Sequence, residues 1–377
     1  MKFSCPKEKL LKAIQIVQRA VSSKSTIPNL TGILLEALED KLIFRATDRE
    51  ILIQFELPLL SIERTGQALL SARYLSDLVR RLPDTNITVE QQQPEQLFLF
   101  RYGKSETQLI GMDPSDYPQL PVIDLKQKIQ LEAGKFRQVI NQVSSAAATD
   151  SLRPIFSGIY MENTGGQSLN VVATDTHRLA YSSIKLPEEN QDKASLSLIV
   201  PHKTLMEVTR LLDDDETVIS IMVGSNQVIF KFDSTTIISR IIEGKFPNYQ
   251  QVIPEKYSTR IKVHTQSFFE GVDRATLLAQ DKSKIASSVL KIATKGDTLI
   301  LEARSQEIGR AYEEIPIYLE GEDVEIKFNG RYMLDALKVI ESEEVYFDLT
   351  GNLSPGVFRP ADGKDYLYLI LPVRSGI

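Results

Sequence analysis

The chain carries one cysteine, Cys5, among 377 residues. A single thiol excludes an internal disulfide framework and fits a reducing cytoplasm. No apolar run approaches the ~20 residues of a membrane-spanning helix. The opening Met1-Lys-Phe-Ser-Cys-Pro6 lacks the apolar stretch of a signal peptide. Histidine is scarce as well. His177, His202 and His264 lie in separate segments, none with a companion at metal-ligand spacing. Gly103-Lys-Ser105 ends like a phosphate-binding loop, but Phe98 stands where that loop needs its first glycine, so a hairpin turn is expected. No G-x-S-x-G elbow occurs. The acidic cluster Asp213-Asp-Asp-Glu216 follows a helical stretch, where anions meet the unfavourable end of the helix dipole, and it reads as a solvated turn. These absences predict no catalytic residues, no metal and no cofactor.

What is present is a repeat. With 42% hydrophobic and 25% charged residues the composition is that of an ordinary globular protein, and the length allows roughly two to four domains. Thr31-Gly-Ile-Leu-Leu-Glu, Lys41-Leu-Ile-Phe-Arg-Ala-Thr-Asp48 and Ile51-Leu-Ile-Gln-Phe55 form one pattern. It returns as Ser157-Gly-Ile-Tyr-Met-Glu162, Leu169-Asn-Val-Val-Ala-Thr-Asp175 and Leu179-Ala-Tyr181. A third copy is Ser288-Val-Leu-Lys-Ile292, Thr298-Leu-Ile-Leu-Glu-Ala-Arg304 and Gly309-Arg-Ala-Tyr312. The alternation predicts antiparallel hairpins. Each copy also predicts two helices: residues 7–21 and 72–82, 135–147 and 203–212, 267–279 and 331–340. Ser71 and Asn329 stand at N-cap positions. The fold class is therefore α+β, with three repeated domains of two helices on antiparallel sheets. Proline-rich crossings, Asp116-Tyr-Pro-Gln-Leu-Pro121 and Phe246-Pro-Asn-Tyr-Gln-Gln-Val-Ile-Pro254, place the boundaries at 1–124, 125–256 and 257–377.

The formal net charge is −6, which by itself argues against gripping nucleic acid. The six helical segments differ from the rest of the chain. Counted over 6–21, 72–82, 134–147, 202–212, 266–284 and 330–340, they hold 16 Lys plus Arg against 7 Asp plus Glu. Basic residues recur two helical turns apart, opposite an apolar stripe: Lys12 and Arg19, Arg73 and Arg80, Lys203 and Arg210, Arg331 and Lys338. For any one helix such charges are an ordinary solvated face. Their recurrence favours a DNA-facing surface on an otherwise acidic protein.

Val172-Ala-Thr-Asp-Thr-His-Arg-Leu-Ala180, Phe246-Pro-Asn-Tyr249, Phe328-Asn-Gly-Arg-Tyr-Met-Leu-Asp-Ala336, Leu371-Pro-Val-Arg374 and the initial Met1-Lys-Phe occur in one order along the whole chain. They resemble the bacterial DNA polymerase III beta subunit, the family of beta sliding clamps. The resemblance implies a head-to-tail homodimeric ring of six domains, helices inside and sheets outside, closed around duplex DNA. Size agrees: domains ~35 Å across leave a hole of ~35 Å, wider than a duplex of ~20 Å. The family tethers a replicative polymerase, a clamp loader and other peptide-bearing proteins, and does no catalysis.

Site residues follow from the same resemblance. The DNA side would be Lys24, Arg73, Arg80, Lys203 and Arg210. The subunit interface would set Leu277 and Leu278 against Tyr74, Thr107 and Leu109. A groove for partner peptides would take Phe156, Thr174, Thr176, His177, Arg178 and Leu179 from the second repeat. Pro247, Val252, Asn329, Tyr332, Leu353 and Pro355 would join them, then Ile370, Leu371, Pro372, Val373 and Arg374. Thr176 and Gln251 depart from residues frequent in the family (glycine and arginine), and Ser375-Gly-Ile377 extends past its usual end. A peptide scaffold without DNA would leave the basic helices idle. A metal-dependent nuclease would need a carboxylate or histidine cluster that the sequence does not supply.

Overall fold

The computed structural model describes residues 1–22, 26–59, 61–92, 96–119, 124–149, 153–163, 165–187, 195–279, 288–305 and 307–373. They pack as two compact units, one built from residues 1–134 and 203–241, the other from 135–202 and 242–377. Among the described residues there are six α-helices: α1 Lys7–Val17, α2 Ala72–Arg81, α3 Ala133–Ser144, α4 His202–Leu211, α5 Thr265–Leu278 and α6 Gly330–Leu337. No described helix is long and apolar enough to cross a membrane.

In the first unit a five-stranded sheet ends on Ser105–Ile110, which reaches its neighbour Leu97–Tyr102 through the turn at Gly103, φ 60°. The expected hairpin is therefore present where a phosphate loop was excluded. A second sheet has eight strands. Thr235–Arg240, from the middle of the sequence, pairs with Ile51–Pro58 from its start, with Ile237 opposite Ile53 and Ser239 opposite Ile51. Leu10, Ile14 and Val17 of α1 and Leu75 and Val79 of α2 are fully buried, the face that their spacing predicts.

Two local expectations fail. The first helix stops at Val17, and Gln18–Ala20 tighten into a 3-10 turn before Val21 becomes extended. The β-branched Ile14, Ile16, Val17 and Val21 lower helix propensity over this stretch. Arg19 is consequently not on an α-helical face with Lys12. Ser71 precedes α2 but makes no side-chain cap, because it still belongs to a strand, paired with Gly32.

In the second unit the nine-stranded sheet repeats the joining device. Arg178–Lys185 pairs with Tyr366–Ile370, with Arg178 opposite Ile370 and Ser182 opposite Tyr366. A separate four-stranded sheet runs Gly309–Pro316, Thr298–Ser305, Val289–Lys295, Glu325–Asn329. Phe328 of this sheet, Phe347 and Phe358 of the nine-stranded sheet and Phe268 of α5 form one aromatic core, with Phe347 and Phe358 stacked at 4.3 Å. Asn329 caps α6 as expected, its side chain accepting from the Arg331 N–H at 2.9 Å. Gly330 begins that helix because a Cβ there would stand 2.2 Å from Thr276 Oγ1 of α5.

Candidate functional site

The segment Thr174-Asp175-Thr176-His177 turns the chain between two strands of the nine-stranded sheet. The Thr174 hydroxyl donates to the Arg178 carbonyl at 2.7 Å, and Asp175 Oδ1 accepts from the amides of His177 and Arg178 at 2.9 and 3.0 Å. Thr176 sits at φ 78°, a left-handed conformation that costs a residue with a Cβ roughly 1–2 kcal/mol. Glycine would avoid that cost, so the sequence departure at this position acts on the backbone. Beyond the turn the Leu371 N–H donates to the His177 carbonyl at 2.9 Å.

Arg178 locks this corner. Its Nε donates to Asp175 Oδ2 at 2.9 Å, its Nη1 to Asp335 of α6 and to Tyr368 Oη at 3.0 Å. Its guanidinium lies 4.1 Å from the Tyr332 ring centroid. Burial works against the charge, but Tyr368, Asp335 and Asp175 outweigh it and raise the Arg178 pKa. Burial also pushes the Tyr368 hydroxyl up, so it stays neutral. The pair network joins a strand to a helix 157 residues away in sequence.

Beside this corner Phe156, Val172, Leu179, Phe246, Tyr249, Val357, Leu367 and Leu369 form one buried cluster. Phe246 stacks on Tyr160 at 4.7 Å, and Tyr249 Oη donates to Glu162 at 2.5 Å, pinning the proline-rich crossing onto the sheet. Large apolar side chains remain uncovered around it: Leu353 is 77% exposed, Val252 53% and Leu371 40%. Gly356 pairs with Ile370, so Pro355 and Leu371 emerge side by side at the ends of adjacent strands. The candidate groove thus sets an exposed apolar rim beside a buried apolar floor and a few fixed polar groups, the composition of a binding site.

The proposed groove residues take different parts in it. His177, Thr176 and Pro247 are exposed at the rim, and Phe156 and Leu179 lie in the floor. Asn329 and Tyr332 enter through α6. Pro372 and Val373 are partly buried, and Val373 is tied by its N–H to the Lys327 carbonyl at 2.8 Å. Ile370 is a correction: it is fully buried, faces the core, and supports the groove without lining it. Arg374 and residues 375–377 lie outside the described residues. The sequence reading missed Asp335, Tyr368 and Val357. Asp335 stood within a quoted motif, but its pairing with Arg178 leaves no local pattern.

The basic positions differ in how their charge is engaged. Lys24 lies outside the described residues. Lys203 Nζ meets Asp48 Oδ2 at 2.8 Å, a hydrogen bond that raises the lysine pKa despite burial. Arg210 pairs with Glu207 at 2.6 Å, and the same glutamate takes Arg19 at 3.2 Å. Lys12 reaches Asp213 at 3.6 Å, so the acidic turn is partly a counter-ion. Arg73 and Arg80, both exposed on α2, have no ion pair among the described residues. Tyr74 is 62% exposed on α2, while Thr107 and Leu109 lie on the terminal strand Ser105–Ile110. Leu277, 65% exposed, and Leu278 end α5, which packs on the terminal strand Gly309–Pro316. Among the described residues no cluster of three or more His, Cys, Asp or Glu could hold a metal ion.

Comparison with known proteins matches three consecutive stretches of the chain to three family domains. The N-terminal, central and C-terminal domains of the DNA polymerase III beta subunit match residues 1–121, 130–248 and 250–374. The beta sliding clamp of Bacillus subtilis is 35% identical, over 100% of both chains. The crystal structure of the DNA polymerase sliding clamp from Bacillus subtilis matches with a TM-score of 0.93, and that of the DNA polymerase III subunit beta from Pseudomonas aeruginosa, 29% identical, with 0.92; each match covers 100% of both chains. The chain thus belongs to the DNA polymerase III beta subunit family, the sliding clamps of DNA replication, which confer processivity and are not themselves catalysts.

Proposed function

We propose that two copies of the chain close head to tail around duplex DNA, and that the groove beside Arg178 holds short peptides from the polymerase, the clamp loader and other replication proteins. The observation that carries the reading is the groove itself. Exposed Leu353, Val252 and Leu371 surround a floor that Arg178 and the Phe246–Tyr249 crossing keep rigid. A preformed apolar groove spends little ordering entropy on binding.

Ring closure is supported by two terminal strands, Ser105–Ile110 in one unit and Gly309–Pro316 in the other. Each presents unpaired backbone groups that a strand of a second copy can satisfy. The flanking Tyr74, Leu277 and Leu278 supply apolar area. Such an interface is heterologous, and it closes after two copies. Three clamp domains, joined near residues 124 and 256, are the unit of this assembly, and the cytoplasm is its compartment.

Retention on DNA is then topological. A closed ring cannot leave sideways, so its cations need only centre the duplex, without reading bases. Arg73 and Arg80 are best placed for this. Lys203 and Arg210 contribute less, because Asp48 and Glu207 already neutralise them. The test is retention on nicked circular plasmid against linear plasmid after loading. The protein should stay on circles and run off ends, and equal retention on both would refute the ring. Leu277→Ala with Leu278→Ala should sediment as a monomer and be lost from circles.

A further inference from the structure

One face of the four-stranded sheet sets like charges opposite one another. Lys291 stands directly opposite Lys327, and Arg304 directly opposite Arg310. Like charges facing one another across an antiparallel ladder destabilise it. Lys291 is compensated by Glu302 at 3.0 Å and Glu325 at 3.1 Å. Arg304 and Arg310 are both exposed, and neither has an ion-pair or hydrogen-bond partner among the described residues.

All four cations line one cleft of about 910 Å³, in which Glu302 is the single carboxylate among the described lining residues. Glu325 and Glu314 lie two residues along their strands from Lys327 and Tyr312, toward the opposite end of the face. The positive end is therefore the row of Val289, Arg304 and Arg310. Val289 is the strand partner of Asn329, the residue that caps α6 at the groove. From Asn329 to Arg310 are three strand spacings, roughly 14 Å, which an extended chain covers in about four residues.

We propose that this cleft binds an acidic peptide segment, and that the segment belongs to the same partner whose anchor occupies the groove. The second half rests on the groove reading above; the cleft's own preference for carboxylates does not. A carboxylate over Arg304 and Arg310 removes the repulsion between them and gains charge-assisted hydrogen bonds. Nucleic acid offers the same charge, but a cleft confined to one four-stranded sheet, with Val289 of its lining paired to Asn329, fits a few residues of peptide better than a duplex ~20 Å across.

The test uses the full chain, fluorescein-labelled hexaglutamate and a fluorescein-labelled six-nucleotide oligo(dT), followed by anisotropy. Hexaglutamate should bind, and Arg304→Gln with Arg310→Gln should weaken it at least about tenfold. Lys185→Glu, on a different sheet, should change it less than about twofold. Because Arg310 lies on a terminal strand, sedimentation accompanies the double variant. Val289→Glu, on an inner strand, must reproduce the loss. Equal binding by wild type and both variants would overturn the cleft. Tighter binding of oligo(dT), lost in the same variants, would make it a nucleic-acid site and overturn the peptide assignment. For the link, a groove-binding peptide selected from a random library is extended by three glutamates about four residues beyond its anchor. The extension should add about tenfold in affinity, and the double variant should abolish that gain. Absence of the gain sinks the link while leaving the cleft intact. If Leu371→Arg leaves library-peptide binding unchanged, the groove reading fails instead, and hexaglutamate binding is unaffected.

Discussion

The two sheet junctions share one backbone and differ in what they expose. At the first, Thr47 Oγ1 donates to the Ile51 carbonyl at 2.9 Å, and Asp48 Oδ1 accepts from the amides of Glu50 and Ile51 at 3.0 and 2.9 Å. The second repeats each bond through Thr174, Asp175, His177 and Arg178. Arg49 sits at φ 77° and Thr176 at φ 78°. The Arg240 N–H donates to the Glu50 carbonyl as the Leu371 N–H does to that of His177. Yet the first cleft, about 430 Å³, is rimmed by Arg49, Glu50, Asp116 and Arg240, with Leu52 and Ile238 almost buried beneath. The second is rimmed by Leu371, Leu353 and Val252. The ladder and turn make a joint wherever they occur, and on the proposed reading the side chains around it decide whether the joint also docks a peptide.

The comparison can be broken by grafting one rim onto the other. Leu371→Arg gives the second junction the residue of the first and should weaken peptide binding by about 30- to 100-fold, the cost of losing a central apolar anchor. Titration with a library-selected peptide checks this, with the melting temperature unchanged. Arg178→Ala should act on stability as well, because Asp335 and Asp175 lose their shared partner. Asp335 is partly exposed, so about 2 kcal/mol is expected, below the value for a fully buried pair. Urea unfolding measures it, and Ile51→Ala at the matching position should change stability without touching peptide affinity.

Smaller effects sharpen the likeness. Arg49→Gly and Thr176→Gly each relieve a left-handed residue while freeing the unfolded chain, for a net gain of about 0.5 kcal/mol. Equal gains at both sites would support equivalent turns; gain at one alone would deny them. The smallest expected effect is on pH dependence. Burial raises the Asp48 pKa, but the Lys203 hydrogen bond and the turn amides outweigh it and hold it below its ordinary 3.8. Its stabilisation is complete above that value and is lost as pH falls through the lower folded pKa. Asp48→Asn should remove that acid-limb loss, seen as a flatter stability curve below pH 3.8. On the basic side, Lys203 is raised above 10.5, so its share is complete below 10.5 and disappears as pH rises through the folded value.

Much of this was legible where chemistry is local. The Thr-Asp turn, the hairpin at Gly103 and the Asn329 cap each lie within a few consecutive residues. The interrupted α1 was less legible, since propensity alone does not say where a helix yields to the 3-10 turn at Gln18. Neutralisation of Lys203 by Asp48 was not legible at all, because 155 residues separate the partners and no periodicity spans that gap. The inward facing of Ile370 has the same origin: its side is set by pairing with Arg178, in a strand from another repeat.

Both joints between repeats are ordinary stretches of antiparallel ladder, five paired positions in each. To bend such a joint, several backbone bonds must shear together, each worth about 1 kcal/mol net. Mechanically these joints are welds rather than hinges. A ring of the proposed kind that must part to admit a DNA molecule and then shut again would yield at the seams between its copies well before it yields at either weld.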